Sequence, residues 1–337
     1  MSETETQPDA ARDETGMSGD TAGGDDTVGG DETVGGDETA GSDPAAGGDE
    51  TSGGDETAGS SVTLPSISIL GIGSMGRAIL SGLLAPGVDV DGPIRVTNRT
   101  HESAARLPDD DRVVSLVTGD DPRANLAAVE GAQIILIAVK PAMVPDLLDE
   151  IAPALRPDAV IVSVAAGVSV ATFEKHLPES VAVIRSMPNT PATVGRAVTG
   201  LSAGTRSSAA QLDTVSRLFS TVGEVLVVDE SQLDALSTIS GSGPAYVYLL
   251  MEKLTAAAVE KGFTPEQAAL LVNGTFAGST ELLRQSGATP EELRIQVTSP
   301  KGTTERAVAV LQDARLDDLF ARATDAALAR ARELAAG

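Results

Sequence analysis

Three glycines with the spacing Gly-x-Gly-x-x-Gly (Gly71, Gly73 and Gly76) form the motif that points most directly to a chemical role. They follow an apolar run at 67–70 and precede a helical pattern at 77–84, which is the strand–turn–helix context of a dinucleotide-binding fingerprint. The first glycine permits the tight turn, the second lets the backbone approach a pyrophosphate, and the third lets helix and strand pack closely. Because N–H groups are free at the start of the helix, the sequence predicts a dinucleotide site here.

The end of the next predicted strand, 94–97, bears on which dinucleotide would bind. A site selective for NAD usually has an acidic residue there, which binds the ribose 2′-hydroxyl. This chain has Asn98, Arg99 and Thr100 instead, and their donors suit a 2′-phosphate. The sequence therefore favours NADPH as the cofactor and leaves NADH possible.

A polar turn at 297–304 (Val-Thr-Ser-Pro-Lys-Gly-Thr-Thr) is the candidate substrate site. It leads into a predicted helix at 305–312, so hydroxyls and free N–H groups would converge at a helix start. That arrangement suits a small carboxylate. A plain capped loop that binds nothing is the alternative interpretation.

Two more motifs, 138–141 and 164–167, lie at the carboxyl ends of predicted strands, where ligands of open α/β sheets bind. Lys140 could contact a phosphate there, or it could be a solvated loop residue. The small residues of 164–167 would let a flat nicotinamide lie against the backbone, or they could serve close packing alone.

The residue types that this chain lacks restrict the chemistry further. It has no cysteine, and its two histidines, His101 and His176, lie outside the motifs. No metal-ligand spacing is present, so we expect no metal. No lysine or histidine is placed as a general acid for a ketone. Such a site suits reduction of a protonated imine, because the substrate then supplies the positive charge and the protein mainly positions it.

The chain divides into two regions of different composition. Residues 1–61 hold 17 acidic residues against one base, Arg12, and repeat Gly-Gly-Asp-Glu-Thr at 35–39, 47–51 and 53–57. With almost no large apolar residues, this segment cannot bury enough surface to offset its ordering entropy, so we predict a disordered acidic tail. It has neither the basic nor the apolar region of a secretory signal.

The remaining residues can form a large core, and we expect two domains, 62–229 and 230–337. The formal net charge of the whole chain is −25, which argues against nucleic acid as a partner. No apolar run reaches the roughly 20 residues that span a bilayer, so we expect no membrane association and a cytoplasmic protein. Acidic residues throughout and only five lysines suggest the acidic surface of a halophilic protein. Ordinary solubility is the alternative explanation of such a surface.

Short β-branched runs alternate with helical stretches as far as residue 229, which predicts an α/β domain with a mostly parallel sheet. The predicted strands are 67–70, 94–97, 113–117, 134–139, 160–165, 181–186, 197–202 and 225–228. From residue 230 the patterns are helical, with capping boxes beginning at Thr264 and Thr289 and a long helix at 316–334. A helical region that cannot cover its own apolar faces is expected to form a homodimer or an assembly of dimers.

Six stretches resemble, in order and spacing, the pyrroline-5-carboxylate reductase family: 70–76, 138–141, 165–168, 187–191, 240–246 and 297–304. The resemblance covers about residues 66–334. It implies an N-terminal Rossmann domain, an all-helical dimerisation domain, and a pocket between them that a second subunit completes. The implied enzyme is an oxidoreductase that reduces the cyclic imine 1-pyrroline-5-carboxylate to L-proline with NAD(P)H, the last step of proline biosynthesis.

The resemblance also assigns roles to individual residues. Ser299 and the backbone N–H groups of Gly302 and Thr303 would hold the substrate carboxylate, and the Thr304 hydroxyl would contact the ring nitrogen, which makes Ser299 and Thr304 the catalytic residues. The implied cofactor-binding residues are Leu70, Gly71, Ile72, Gly73, Ser74, Met75, Asn98, Arg99, Asn125, Ala138, Val139, Lys140, Pro141, Val164, Ala165 and Ala166. Glu230 and Gln296 stand at further pocket positions.

The substrate turn departs from the family pattern Ser-Pro-Gly-Gly-Thr-Thr at one position, where Lys301 replaces the first glycine. If the position needs a positive φ, lysine adds about 1 kcal/mol of strain. Alternatively, the lysine adds positive charge near the carboxylate. The sequence leaves both interpretations open.

Two other functions also remain open at this point. A β-hydroxyacid dehydrogenase would also pair a Rossmann domain with helices. That chemistry requires a helix lysine followed four residues later by asparagine, whereas the residue four positions after Lys253 is Ala257. The third possibility is a non-enzymatic NADPH-binding protein whose acidic tail serves as an interaction segment.

Overall fold

The computed structural model describes residues 61–336, and a mostly parallel sheet is the frame of this region. The predicted acidic tail, up to residue 60, lies outside the described residues. The ten strands of the described region are β1 (Val62–Leu64), β2 (Ile67–Leu70), β3 (Val88–Val90), β4 (Ile94–Asn98), β5 (Val113–Val117), β6 (Ile134–Ile137), β7 (Val160–Ser163), β8 (Ala182–Met187), β9 (Ala197–Ala203) and β10 (Gly223–Val227).

Helices cover the sheet and then form the rest of the chain. The first six are α1 (Ser74–Leu83), α2 (His101–Ala104), α3 (Ala124–Val129), α4 (Val144–Ile151), α5 (Val170–His176) and α6 (Ala209–Ser220). They are followed by α7 (Glu230–Leu236), α8 (Gly243–Glu260), α9 (Pro265–Ser286), α10 (Pro290–Gln296), α11 (Thr303–Asp313) and α12 (Leu316–Ala336). In the described part of the chain, none of these helices combines the length and apolar character that crossing a bilayer requires.

The strand order of the main sheet determines where a ligand can bind. Its order is β10-β9-β8-β7-β6-β2-β4-β5, and every neighbouring pair is parallel except β8 and β9. The chain runs outward from β2 through β4 to β5, and then returns to the other side of β2 with β6. The strand order therefore reverses between β2 and β6, and ligands of open α/β sheets bind at the carboxyl ends of the strands at such a point.

Both faces of the sheet are buried, as the continuous apolar runs predict. All four residues of β6 are buried, and they alternate between two apolar clusters. Ile134 and Leu136 pack in the cluster that includes α1 and α6, whereas Ile135 and Ile137 pack with α3, α4 and α5. The predicted α/β fold class, a mostly parallel sheet followed by a helical region, is confirmed.

Strand ends are where the sequence prediction differs from the structure. The predicted strands 134–139 and 160–165 end two residues earlier, at Ile137 and Ser163, because the chain turns there towards the candidate site. The strands β1 and β3 were not predicted, since each has three residues and they form only a two-stranded side sheet.

The helical region begins with a local irregularity and continues through well-capped helices. A π-helical turn at Ser237–Gly241 lies between α7 and α8. It includes the start of the glycine- and serine-rich stretch at 240–246. The capping boxes of α9 and α10 form as predicted, at Thr264 and Thr289. Hydrogen bonds from the Thr289 N–H and hydroxyl hold the pKa of Glu292 below its ordinary value. The domain boundary at residue 229 stays a prediction.

Apolar side chains are unusually exposed on the helical region of the single chain. Helix α8 buries none of its residues, and α9 buries only Ala268 and Val272. Leu249 and Leu270 are among the large apolar side chains that face solvent. Apolar surface of this extent marks a protein–protein interface, which agrees with the homodimer expected from the sequence.

We predict that Leu270→Asp weakens this assembly. Leu270 is 75% exposed in the single chain, so a buried position in an assembly would then hold an unpaired carboxylate. Light scattering after size exclusion should show a shift towards the monomer mass at equal protein concentration. Leu270→Met is the control and should keep the mass of the unaltered protein, and an unchanged mass for Leu270→Asp would place the interface elsewhere.

Candidate functional site

The glycine turn lies between β2 and α1, at the point where the strand order reverses. Gly71 has φ +86°, and a Cβ there would lie 2.8 Å from Val139 Cγ1 and 3.0 Å from the Ala138 carbonyl oxygen. A Cβ on Gly76 would lie 2.9 Å from the Gly71 carbonyl oxygen, so only glycine lets helix and turn approach this closely. A Cβ on Gly73 would meet no atom within 4 Å, so the turn is open at the glycine that the motif assigns to a pyrophosphate.

The start of α1 offers hydrogen-bond donors next to that open space. Gly73 is its N-cap residue and supplies no side-chain cap, so the N–H groups of the first helical turn have no side-chain acceptor from it. The Gly71 N–H is already used, because it donates to Thr97 Oγ1 at 3.1 Å. An anion at the mouth of this turn would therefore meet N–H groups and the positive end of the helix dipole, which is the environment that a pyrophosphate needs.

A cleft of about 290 Å³ opens beside the turn, at the carboxyl ends of β2, β4, β5 and β6. It is lined by Gly71, Thr97, Asn98, Arg99, Thr118, Asn125, Val139, Ala142, Met143, Asp146, Leu147 and Glu150. Five of the predicted cofactor residues belong to this lining, namely Gly71, Asn98, Arg99, Asn125 and Val139. The structure therefore brings residues from four separate stretches of sequence to one cavity.

Asn98 and Arg99 contribute to this cleft in different ways. Asn98 is only 2% exposed, and its Nδ2 donates to Ser115 Oγ at 2.9 Å. One of the two N–H groups of its amide is therefore already used, whereas its Oδ1 is buried without a partner in the described part of the chain. Arg99 is exposed and free of ion pairs within residues 61–336, so it is the cation available to a phosphate. Thr100, the third predicted donor, instead caps α2 through its hydroxyl.

The other predicted cofactor residues lie at the turn or at neighbouring strand ends. Leu70 and Ile72 have buried side chains, so only their backbone can face a ligand, whereas Ser74 is exposed and Met75 is half-buried. Ala138 packs its carbonyl against Gly71. Lys140 and Pro141 are exposed at a short 3₁₀ turn, and Val164 and Ala165 follow β7. Residues 61–336 contain no group of three or more histidine or acidic side chains placed to hold a metal.

A second cavity, of about 100 Å³, lies between the sheet and the helical region. It is lined by Ala166, Gly167, Arg185, Met187, Asp234, Ser237 and Ala331. Ala166, a predicted cofactor residue, therefore faces the helical region and not the larger cleft. This cavity is where the end of β7 meets α7 and α12.

Arg185 joins the sheet to α7 next to this second cavity. It is 8% exposed, its Nη2 lies 2.8 Å from Asp234 Oδ1, and its Nη1 lies 3.4 Å from Glu230 Oε1. The same Glu230 oxygen accepts a hydrogen bond of 2.7 Å from the Val170 N–H. The buried guanidinium is thus matched by two carboxylates, which fixes the first helix of the helical region against β8.

A second polar connection between the sheet and the helical region comes from Asn189. In the sequence this residue lies in the stretch 187–191, between two prolines. In the structure its Nδ2 donates to the Ser240 carbonyl at 3.0 Å, and its Oδ1 accepts from the Val198 N–H at 2.9 Å. Both ends of its amide therefore help to hold the π-helical turn against the sheet.

The candidate substrate turn links α10 to α11 through a tight reversal of the chain. The Gly302 N–H donates to the Ser299 carbonyl at 3.0 Å, with Pro300 second and Lys301 third in the turn. Lys301 has φ +61°, and this combination is typical of a type II turn, in which the third position favours glycine. The structure thus shows that position 301 has a positive φ, which the sequence could not decide, and the expected strain at Lys301 is about 1 kcal/mol.

Gly302 is the residue of this turn that cannot be replaced without movement. A Cβ there would lie 2.6 Å from Ser299 Oγ and 2.9 Å from the Ser299 carbonyl oxygen. Gly302 is also the N-cap of α11 and gives no side-chain cap, so Thr303 and Thr304 begin the helix with N–H groups available. Glu305 Oε2 accepts a 2.8 Å hydrogen bond from the Lys301 N–H.

The structure of one chain does not bring the substrate turn to the nucleotide cleft. Neither cavity described above is lined by Ser299, Gly302, Thr303 or Thr304. Within residues 61–336, the side-chain hydrogen bonds of the turn reach only α10 and α11. The roles assigned to these four residues stay predictions.

The sequence missed several residues that line the cleft. Thr118 directly follows the predicted strand 113–117, so its position at a carboxyl end could have identified it. Asp146 and Glu150 come from α4, which no motif marked, and Glu150 Oε2 accepts from Asn125 Nδ2 at 3.2 Å. Arg185, which lines the second cavity, lay within a predicted strand, where the sequence does not reveal carboxylates that are 45 and 49 residues away.

Comparison with known proteins relates the chain to one group of enzymes over almost all of the described region. A family model described as pyrroline-5-carboxylate reductase dimerisation matches residues 230–334, and one described as NADP oxidoreductase coenzyme F420-dependent matches residues 66–167. The pyrroline-5-carboxylate reductase of Corynebacterium melassecola is 36% identical over 274 residues, which cover 80% of this chain and 99% of the relative. That of Mycobacterium tuberculosis is 38% identical over 291 residues, covering 80% and 96%.

Solved structures show the same relation. A pyrroline-5-carboxylate reductase from Coxiella burnetii superposes with a TM-score of 0.74 at 35% identity, covering 80% of this chain and 98% of that structure. The Plasmodium falciparum pyrroline carboxylate reductase with NADP bound has a TM-score of 0.66 at 23% identity, covering 80% and 98%. The second likeness shows a shared fold.

We predict that Arg185→Met lowers the free energy of unfolding by about 2 kcal/mol, because it leaves two carboxylates without their partner. The loss is smaller than for a fully buried pair, since Asp234 and Glu230 are about one-third exposed. Urea denaturation at fixed protein concentration measures it. Arg106→Met, which removes an exposed pair with Glu102, is the control and should change the unfolding free energy by less than about 0.5 kcal/mol. Equal effects of the two substitutions would contradict this role for Arg185.

Proposed function

The chain belongs to the pyrroline-5-carboxylate reductase family, and we propose from this premise how its own residues carry out the reaction of that family. The reaction is the NAD(P)H-dependent reduction of 1-pyrroline-5-carboxylate to L-proline, which completes proline biosynthesis. The observation that carries the assignment is the similarity to these reductases across both the nucleotide-binding region and the helical region. The chain is accordingly an oxidoreductase that acts on a C=N bond.

The glycine turn and its cleft fit an NADP(H) molecule. The open space at Gly73 and the N–H groups of α1 would receive the pyrophosphate, and Arg99 would pair with the 2′-phosphate. The unpartnered Oδ1 of Asn98 is an acceptor suited to a ribose hydroxyl. When bound, the reduced cofactor supplies the hydride for the imine carbon. The remaining predicted residues, from Ala138 to Pro141 and from Val164 to Ala166, would line the path towards the nicotinamide.

The substrate turn would hold the cyclic imine by its two polar ends. Ser299 and the N–H groups of Gly302 and Thr303 would bind the carboxylate at the start of α11. The Thr304 hydroxyl would accept a hydrogen bond from the protonated ring nitrogen and hold that proton in place. Because the iminium already carries the positive charge, the protein needs no strong acid there, and its contribution is mainly orientation.

We further propose that a second subunit completes the site. In one chain the substrate turn and the nucleotide cleft stay apart, while α8 and α9 leave apolar side chains exposed. A homodimer, or an assembly of dimers, would cover these faces and bring the turn of one subunit to the cleft of the other. In this proposal residues 62–229 bind the cofactor, and residues 230–337 dimerise and bind substrate.

The alternative hydroxyacid chemistry gains no support from the structure. Lys253, the helix lysine that such an enzyme would use, is exposed and pairs with Glu252 at 2.7 Å. The cytoplasmic location, the absence of nucleic-acid partners and the adaptation to high salt stay predictions. A non-enzymatic role stays as a possible outcome of the assay described next.

The direct test is to follow NADPH oxidation with 1-pyrroline-5-carboxylate as substrate, in low salt and in molar salt. Oxidation with stoichiometric formation of proline is the expected result. A folded sample that binds NADPH without turnover in either salt would contradict the reductase and favour the non-enzymatic alternative. The ratio of the two rates also tests the halophilic interpretation.

We predict that Thr304→Ala lowers kcat by more than about tenfold, because the ring nitrogen loses the hydroxyl that orients it. NADPH affinity, measured by fluorescence titration, should change by less than about twofold, since the proposed contact of Thr304 is with the substrate and Thr304 does not line the nucleotide cleft. Thr304→Ser keeps the hydroxyl and should retain most of the turnover. Full activity of Thr304→Ala would reject the role assigned to this residue.

We predict that Arg99→Ala raises the KM for NADPH by about tenfold or more, which corresponds to losing a charge-assisted contact of roughly 1.4 kcal/mol. The KM for NADH should stay nearly constant, because NADH has no 2′-phosphate. Arg123→Ala, at an exposed arginine before α3, is the control and should leave both KM values unaltered. An equal rise in the KM values for NADPH and NADH would show that Arg99 does not bind the 2′-phosphate.

A further inference from the structure

We infer that Lys301 determines affinity for the anionic substrate, by placing a cation at the turn that receives the substrate carboxylate. This inference rests on the proposed function, since it concerns the same turn. It assigns the side chain of Lys301 a role of its own, apart from the backbone N–H groups of Gly302 and Thr303.

The backbone of the turn does not explain the presence of a lysine. Lys301 occupies the third position of a turn that starts at Ser299, with Pro300 before it and φ +61° of its own. Glycine adopts this conformation without the steric conflict of a Cβ, so it is the residue that the backbone favours. A lysine kept in a strained position is therefore more readily explained by what its side chain does.

The charges around the turn show what that side chain can do. The Glu305 carboxylate lies at the turn, because its Oε2 accepts from the Lys301 N–H at 2.8 Å. Residues 297–305 contain one acidic residue, Glu305, and one cation, Lys301. A substrate carboxylate at the start of α11 would be repelled by Glu305, and the ammonium of Lys301 opposes that repulsion.

The ammonium of Lys301 is also available for this purpose. The side chain is exposed, and within residues 61–336 its Nζ forms neither a hydrogen bond nor an ion pair. Lys253 differs in this respect, because its ammonium already pairs with Glu252. The charge of Lys301 is therefore not neutralised by the described part of its own chain.

The net charge of the whole chain makes the contribution of Lys301 to substrate binding depend on salt, which can be measured. A net charge of −25 repels an anionic substrate at low ionic strength. Salt screens both that repulsion and the local attraction to an exposed lysine, since the Debye length falls from about 10 Å at 0.1 M to about 3 Å at 1 M. The contribution of Lys301 should consequently be large in low salt and small in molar salt.

The test compares Lys301→Gln, Lys301→Arg and the unaltered enzyme in steady-state assays at about 0.1 M and 1 M potassium chloride. Lys301→Gln should raise the KM for 1-pyrroline-5-carboxylate about three- to fivefold in low salt, the range expected for an exposed charge contact. Its kcat and its KM for NADPH should change by less than about twofold, and the substrate effect should fade in high salt. Lys301→Arg should retain the low KM.

Lys301→Gly separates charge from backbone strain. Glycine relieves the strain and removes the cation, so this variant should melt at a higher temperature and still show the raised KM of Lys301→Gln. An unchanged KM for Lys301→Gln in low salt would overturn the inference. An increase of the same size in both salts would also overturn it, because the effect would then not be electrostatic.

A binding experiment keeps this inference distinct from the proposed function. Calorimetric titration with L-proline, in the presence of NADP⁺, measures carboxylate binding without turnover. Lys301→Gln should weaken it about three- to fivefold in low salt. If the unaltered protein bound L-proline through Lys301 yet reduced no imine, the proposed function would fail and this inference would stand. Equal binding by both proteins would reject the inference whatever the enzyme activity.

Discussion

The close approach of the Gly71 turn to the loop after β6 is the constraint on which the nucleotide region depends. A Cβ on Gly71 would collide with Val139 and with the Ala138 carbonyl, and a Cβ on Gly76 would collide with Gly71 itself. These contacts place α1 directly beyond the end of β2, where the strand order reverses. The cleft exists because the chain after β2 leads to α1 on one face of the sheet and the chain after β6 leads to α4 on the other face. The geometry of the site therefore follows from the topology of the sheet and the absence of two side chains.

A buried ion pair lies where the sheet meets the helical region, and it determines how the two are positioned relative to each other. Arg185 lies within β8 and pairs with two carboxylates of α7, and Asn189 makes a similar connection with uncharged groups a few residues later. Directional polar contacts of this kind hold one relative position of two elements, whereas apolar packing tolerates sliding. The position of α7 determines where the helical region begins, so this connection links the nucleotide side of the molecule to the side that carries the substrate turn.

The sequence predicted the elements that have a strong local signal. Apolar runs located the eight strands of the main sheet, and the pattern Thr-Pro-Glu-x located the starts of α9 and α10, because propensity and capping act over a few residues. It could not predict β1 and β3, whose three residues carry no period. It also could not reveal the hydrogen-bond partners of Asn98 and Asn189, whose amides bind Ser115, Ser240 and the Val198 backbone. Which partner a polar side chain takes depends on tertiary contacts that spacing alone does not show.

The division of the candidate site between two regions has a thermodynamic consequence. If the substrate turn of one subunit must meet the cleft of another, a single chain can bind cofactor but cannot complete the reaction. The apolar side chains on α8 and α9 then contribute to activity as well as to stability, because burying them assembles the site. Assembly is a mass-action equilibrium, so activity and stability would both depend on protein concentration. Salt would act on the same equilibrium, because it screens the mutual repulsion of two chains that each carry a net charge of −25 and strengthens the association of their apolar faces.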